Sequence, residues 1–126
     1  MNLINDVDGA PKAVGPYSQA VRVGTLLFCS GQIPIDPAEG RIVALSVEDQ
    51  TRQVFANIRA VLASQRLTLA DVAKATVFLQ SMTDFPKVNG VYAEAFGDHK
   101  PARSTVEVAA LPLGALVEIE VIADLG

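Results

Sequence analysis

The segment Val117-Glu118-Ile119-Glu120-Val121 alternates apolar and acidic residues, a period of two that only a strand satisfies, and it puts two carboxylates on one strand face. About a dozen residues earlier, Pro101-Ala-Arg103-Ser-Thr105-Val-Glu107-Val is rich in β-branched residues and reads as another strand, this one carrying an arginine. Charge on apolar strands is costly unless it is paired, hydrated or bound to a ligand, and a guanidinium fork matches a carboxylate. From the residues alone, Arg103 is more often an ion-pair partner of Glu107, Glu118 or Glu120 than a ligand clamp.

The chain has 126 residues, enough for one domain with a real core and too few for two ordinary ones, so residues 1–126 read as a single domain. Half of the residues are hydrophobic and the mean hydropathy is +0.32, which is rich for a small monomer that needs a polar coat. The surplus predicts an oligomer. Charged residues interrupt every apolar run approaching about 18 residues, so no membrane span is expected. Met1-Asn-Leu-Ile-Asn-Asp6 lacks the basic-then-apolar organisation of a signal peptide, which makes the cytoplasm the expected location. A net charge of −4 with no basic block argues against a nucleic-acid partner. Cys29 is the only cysteine, so an internal disulfide and a Cys-based zinc site are both excluded, and its apolar surroundings predict a buried thiol. His99 is the only histidine and reads as a solvent-facing loop residue, with no triad or zinc set around it. Neither a G-x-G-x-x-G fingerprint nor a G-x-x-x-x-G-K loop occurs.

The first eight or so residues are expected to supply an edge strand, and residues 9–16 an irregular loop punctuated by Gly and Pro. Val21–Val23 and Leu26–Cys29 flank Gly24-Thr25 as a hairpin, and Pro34 to Gly40 reads as a further loop. Ser46 followed by Glu48 and Asp49 marks a helix start. Beyond it Val47, Val54, Ile58, Val61, Leu62 and Gln65 recur at helical spacing, with Arg52, Asn57 and Arg59 on the polar side. Val72 to Leu79 reads as a buried strand, and Asp84 to Gly97 as a second helix with Phe85, Val88, Tyr92, Ala95 and Phe96 on one side. Strands over about 103–108 and 116–123 finish the chain. This order predicts an α+β fold with both helices on one sheet face. The other face then carries Glu118 and Glu120 and needs a cover, which places Arg103 and Glu118 near a subunit junction.

Three segments in order, Gly15-Pro16-Tyr17-Ser18-Gln19-Ala20, Cys29-Ser30-Gly31-Gln32-Ile33-Pro34 and Pro101–Val108 with Val117–Glu120, resemble the RidA (YjgF) family of reactive imine deaminases. The likeness covers essentially the whole chain, including Asp84-Phe85-Pro-Lys-Val88-Asn89-Gly-Val-Tyr92. The resemblance implies a chorismate-mutase-like subunit with a mixed sheet, assembled as a homotrimer with ligand sites in the clefts between subunits. It implies 2-imino acids and their enamine tautomers as substrates, such as 2-aminoacrylate and 2-iminobutanoate, hydrolysed to 2-keto acids and ammonia. Such chemistry protects pyridoxal-phosphate enzymes and needs no cofactor and no covalent nucleophile. By the same resemblance Arg103 and the Gly31 amide hold the substrate carboxylate, and Glu118 positions the water or shuttles its proton. Tyr17 stacks on the substrate, Ser30 and Asn89 line the cleft, and Thr105 offers a backbone contact. Thr105 stands where a cysteine is often found, and Leu113 where a lysine is frequent. Two other functions stay open: a non-catalytic regulatory trimer that binds small ligands, and an RNA-cleaving translation inhibitor, which the acidic charge disfavours.

Overall fold

A computed structural model describes residues 1–126. The chain runs β1 (Asn2–Ile4), β2 (Ala20–Val23), β3 (Leu26–Gln32), β4 (Ile35–Asp36), β5 (Arg41–Ile42), α1 (Val47–Ala63), β6 (Val72–Leu79), α2 (Phe85–Phe96), β7 (Ala102–Glu107) and β8 (Val117–Asp124). Six strands form one mixed sheet in the order β1-β2-β3-β8-β6-β7, parallel only between β6 and β7. The alternation in β8 decides which side of this sheet is covered. Val117, Ile119, Val121 and Ala123 are buried, and Leu27 of β3 and Ala75, Val77 and Leu79 of β6 lie on the same side. Both helices pack there, α1 through Val54, Phe55, Ile58, Val61 and Leu62, α2 through Val88, Val91, Tyr92 and Phe96. Full burial of each such aliphatic side chain is worth roughly 1.5–3 kcal/mol, so this layer holds the fold together. Phe55 joins the two helices, meeting Tyr92 and Phe96 edge-on at ring separations of 5.9 and 5.6 Å.

Local chemistry sets the boundaries. The Ser46 hydroxyl accepts from the Asp49 amide at 3.1 Å and caps α1, with Glu48 and Asp49 in the first turn. That helix ends at Ala63, so Gln65, expected on it, lies beyond the end, where Arg66 turns the chain with φ +61°. Asp84 precedes α2 without capping it by its side chain; a 3₁₀ turn at Met82–Asp84 leads in, Pro86 sits in the first turn, and Gly97 closes the helix with φ +62°.

Three expectations are corrected. The stretch from Pro34 contains a small hairpin, β4 against β5, closed by Asp36 Oδ1 accepting from the amides of Ala38 and Glu39; its two-residue strands are too short to show a period. Asn57 is not on the polar side of α1: it is 0% exposed and donates to the carbonyls of Ile33 and Ile35 at 3.3 and 2.9 Å, tying β4 to the helix. His99 is half-buried, its Nε2 donating at 2.6 Å to the Val72 carbonyl at the start of β6 while its ring packs beside Phe96. The uncovered sheet face presents Phe28, Phe78, Val106 and Ile122 together with Glu118 and Glu120. No helix is long and apolar enough to cross a membrane.

Candidate active site

β3 and β8 pair in register as far as Cys29 opposite Val121 and resume with Gln32 opposite Ile119, three residues of one strand against two of the other. The extra residue is a bulge at Ser30-Gly31, which bends the strand and re-aims its neighbours. Glu118 lies across this bulge. A Cβ on Gly31 would overlap Glu118 Oε2 and sit 3.0 Å from its Cδ, so any side chain here would push the Glu118 carboxylate from its place; the constraint is space and not torsion. Burial raises the Glu118 pKa above the usual carboxylate range, and the like charge of Glu120 on the same face adds to the shift. Ser30 is held from both ends, its amide donating to the Gln19 carbonyl at 3.0 Å and its hydroxyl to the Ser18 carbonyl at 2.6 Å.

The loop before β2 closes over this pair. Gln19 is buried, donates from Nε2 to the Pro11 carbonyl at 2.6 Å and accepts from the Val7 amide at 3.0 Å, so the loop is pinned to the sheet. Tyr17, 53% exposed, projects from a tight turn at Gly15. Tyr17, Ser30, Gly31, Glu118 and Glu120, together with Lys12, line one cavity of about 500 Å³.

A second charged surface lies on the other side of the sheet. Arg103 pairs with Ala75 and Thr105 with Val77 across β6 and β7, so both side chains point to the helix-bearing face. There Arg103 Nη1 donates to Asn89 Oδ1 at 2.7 Å, and its guanidinium carbon stands 4.7 Å from the Tyr92 ring centroid and 5.4 Å from that of Phe85. No carboxylate pairs with it. The ion-pair partners open to Arg103 in the sequence are engaged elsewhere: Glu107 accepts from the Met82 amide at 2.8 Å, and Glu118 and Glu120 lie on the opposite face. The one salt bridge of the chain joins Arg52 and Asp49. Tyr92 Oη and Thr105 Oγ1 are buried without a hydrogen-bond partner. Burial raises the Tyr92 pKa, and the charge of Arg103 partly offsets the rise. A cavity of about 410 Å³ opens beside Arg103, Asn89 and Tyr92.

The candidate residues therefore fall into two groups. Tyr17, Ser30, Gly31 and Glu118 come together around the bulge, while Arg103, Asn89 and Thr105 come together against α2. The fold of one chain does not bring Arg103 to Glu118. Phe85 and Tyr92 were legible only as an apolar helix face, although their spacing of four and three about Asn89 puts all three on one stripe. Cys29 is buried, and burial pushes its thiol up to about 12, which keeps it protonated and unreactive. No three His, Cys, Asp or Glu side chains cluster in a way that would hold a metal ion.

Fold and side-chain placement define a two-helix α+β sheet protein with an arginine free of counter-charge on one surface and a carboxyl of raised pKa on another. The chain belongs to the family described as Endoribonuclease L-PSP, the family of RidA and YjgF, whose model matches residues 7–125. It is 56% identical over 116 residues to a RutC family protein of Pyrococcus horikoshii, covering 92% of each chain. It is 47% identical over 116 residues to Reactive Intermediate Deaminase A, chloroplastic, of Arabidopsis thaliana, covering 92% of this chain and 62% of that one. Among solved structures, E. coli TdcF with bound serine superposes with a TM-score of 0.91 at 41% identity, covering 98% of both chains.

Proposed function

We propose that this protein hydrolyses 2-imino acids and their enamine tautomers to 2-keto acids and ammonia, at sites formed between copies of the chain in a homotrimer. The observation that carries the reading is Arg103, a guanidinium held in place by neutral groups and left without a carboxylate partner. Such a group fits the carboxylate of a small anionic substrate. Glu118, whose raised pKa keeps its proton exchangeable nearer neutrality, is the matching acid–base group. In the reaction Glu118 takes a proton from water as the water oxygen bonds to C2 of the iminium. It then returns that proton to the amino nitrogen, the C2–N bond breaks and ammonia leaves, and Glu118 takes the remaining hydroxyl proton, later released to solvent, as the C2–O bond becomes a carbonyl. Gly31 supplies a backbone amide to the substrate carboxylate, Thr105 a backbone contact, Tyr17 a stacking face, and Ser30 and Asn89 the cleft walls. Because such imines hydrolyse slowly in water unaided, orienting one water and moving one proton is sufficient catalysis.

The same placement supports assembly from several copies. Arg103 and Glu118 lie on opposite sides of one sheet, and the apolar uncovered face is the surface another copy would cover. The name of the Arabidopsis relative supports the deaminase reading. A second reading, ligand binding without turnover, is favoured by the serine in TdcF, since a saturated amino acid has no C=N bond to hydrolyse. The family description names a ribonuclease, but a net charge of −4 supplies little attraction for a polyanion.

The test generates 2-aminoacrylate with a serine dehydratase and follows its partition between pyruvate and a semicarbazide adduct. The protein is expected to lower trapping, and Arg103→Ala to abolish that effect while the oligomer stays intact. An active Arg103→Ala would defeat the clamp, and ligand binding without any change in trapping would favour the second reading.

A further inference from the structure

Arg103 sits on the edge strand β7, where a long flexible side chain must be ordered before it binds anything, and that ordering weakens binding. In this protein it is ordered already. Phe85, Asn89 and Tyr92 stand four and three residues apart along one stripe of α2. The guanidinium carbon is 4.7 Å from the Tyr92 ring centroid and 5.4 Å from that of Phe85, both within cation–π range, and Nη1 donates to Asn89 Oδ1 at 2.7 Å. Tyr92 cannot swing away: it is 8% exposed and packs against Phe55 and Phe96 at ring separations of 5.9 and 4.7 Å.

All three partners are neutral, and that is the informative point. An aspartate or glutamate on this stripe would order the arginine at least as well through a charge-assisted pair, but it would also cancel the charge. An aromatic face and an amide oxygen order the group and leave its charge free for a ligand. A contact needed only to fasten β7 to α2 has no reason to avoid a carboxylate.

We infer that Phe85, Asn89 and Tyr92 form a neutral cradle that positions Arg103 for a carboxylate ligand, with Tyr92 as the principal positioning residue. The inference rests on reading Arg103 as a carboxylate clamp, and it adds the residues that set how tightly the clamp holds. Tyr92 and Phe85 act through Arg103 and not on the reacting atoms.

The experiment titrates 2-oxobutanoate into the assembled protein by calorimetry, measures imine turnover, and follows rotation of the Arg103 guanidinium by nitrogen-15 side-chain spectroscopy. Tyr92→Phe keeps the ring and should match the wild type. Tyr92→Leu should free the guanidinium and weaken binding about two- to fivefold, the loss of one cation–π contact at an exposed arginine, with KM raised and kcat little changed. Asn89→Asp should leave the guanidinium as restricted as before, yet weaken 2-oxobutanoate binding more than tenfold. If Tyr92→Leu fails to fold, Phe85→Leu and Asn89→Asp carry the test. Wild-type affinity in Asn89→Asp, or in a folded Tyr92→Leu, overturns the cradle while an inert Arg103→Ala keeps the clamp. If Arg103→Ala still binds 2-oxobutanoate, the clamp fails and the cradle with it.

Discussion

Glu118 sits where its surroundings oppose its charge. Its carboxyl lies over Gly31 and titrates above the usual range because burial, and then Glu120, oppose its charge. A folded-state pKa above the unfolded value means that the unfolded chain loses this proton first as pH rises. The contribution to stability is therefore fully present below the ordinary glutamate pKa and is lost as pH climbs through the raised one. Glu118→Gln abolishes that loss. The variant is expected to exceed the wild type in urea stability at about pH 8 and to lose this advantage at about pH 3.5, while turnover falls at every pH. A wild type whose stability does not decline relative to the variant across this window would show that the carboxyl is not strained by its setting. With Glu118 as the proposed base, imine turnover should drop as acid protonates it.

At the scale of elements, α1 does more than shield the sheet. Asn57 reaches from its middle to the carbonyls of Ile33 and Ile35, accepts from Gln53 Nε2 at 2.9 Å, and so fixes the chain that leaves the Ser30-Gly31 bulge. Gln50 does the same at the other end, accepting from the Leu116 amide at 2.9 Å just before β8 and donating to the Ala44 carbonyl at 3.1 Å. These buried amides hold both strands that frame Glu118. Asn57→Ala is expected to cost about 1–3 kcal/mol, the penalty for leaving buried carbonyls unpaired, in a denaturant titration. A loss within a few tenths of a kcal/mol would mean that water replaces the amide. The periodicity of Val54, Ile58, Val61 and Leu62 marks α1 and its buried face, but an asparagine at helical spacing reads as solvent-facing until the carbonyls it serves are located.

At the scale of the whole molecule, the sheet separates Arg103 from Glu118, so the proposed site needs the two groups from different copies. If each site takes its arginine from one copy and its glutamate from the next, two inactive variants should complement each other. Arg103→Ala and Glu118→Gln, unfolded and refolded together in equal amounts, are expected to regain about a quarter of wild-type activity, the fraction of junctions with both groups intact. Variants refolded separately and then mixed should stay inactive until subunits exchange. Failure of the co-refolded mixture to recover would place both groups within one protomer's site and contradict the split.

Much of this protein was determined by sequence alone, because the signals were periodic or punctuated. The alternation in Val117–Val121 sets the strand and its two faces, Ser46 with Asp49 starts α1, and Gly24-Thr25 turns the first hairpin. The acids, the arginine and the glycine of the candidate site were visible as residue types in ordered segments. Which of them meet was not. Only the register of β6 with β7 turns Arg103 toward α2, only the bulge in β3 lays Glu118 across Gly31, and only helix–sheet packing brings Tyr92 under the guanidinium. Periodicity reports which face of an element a residue occupies. The partner on that face is chosen by strand order and packing between segments distant in the chain, which no local pattern encodes.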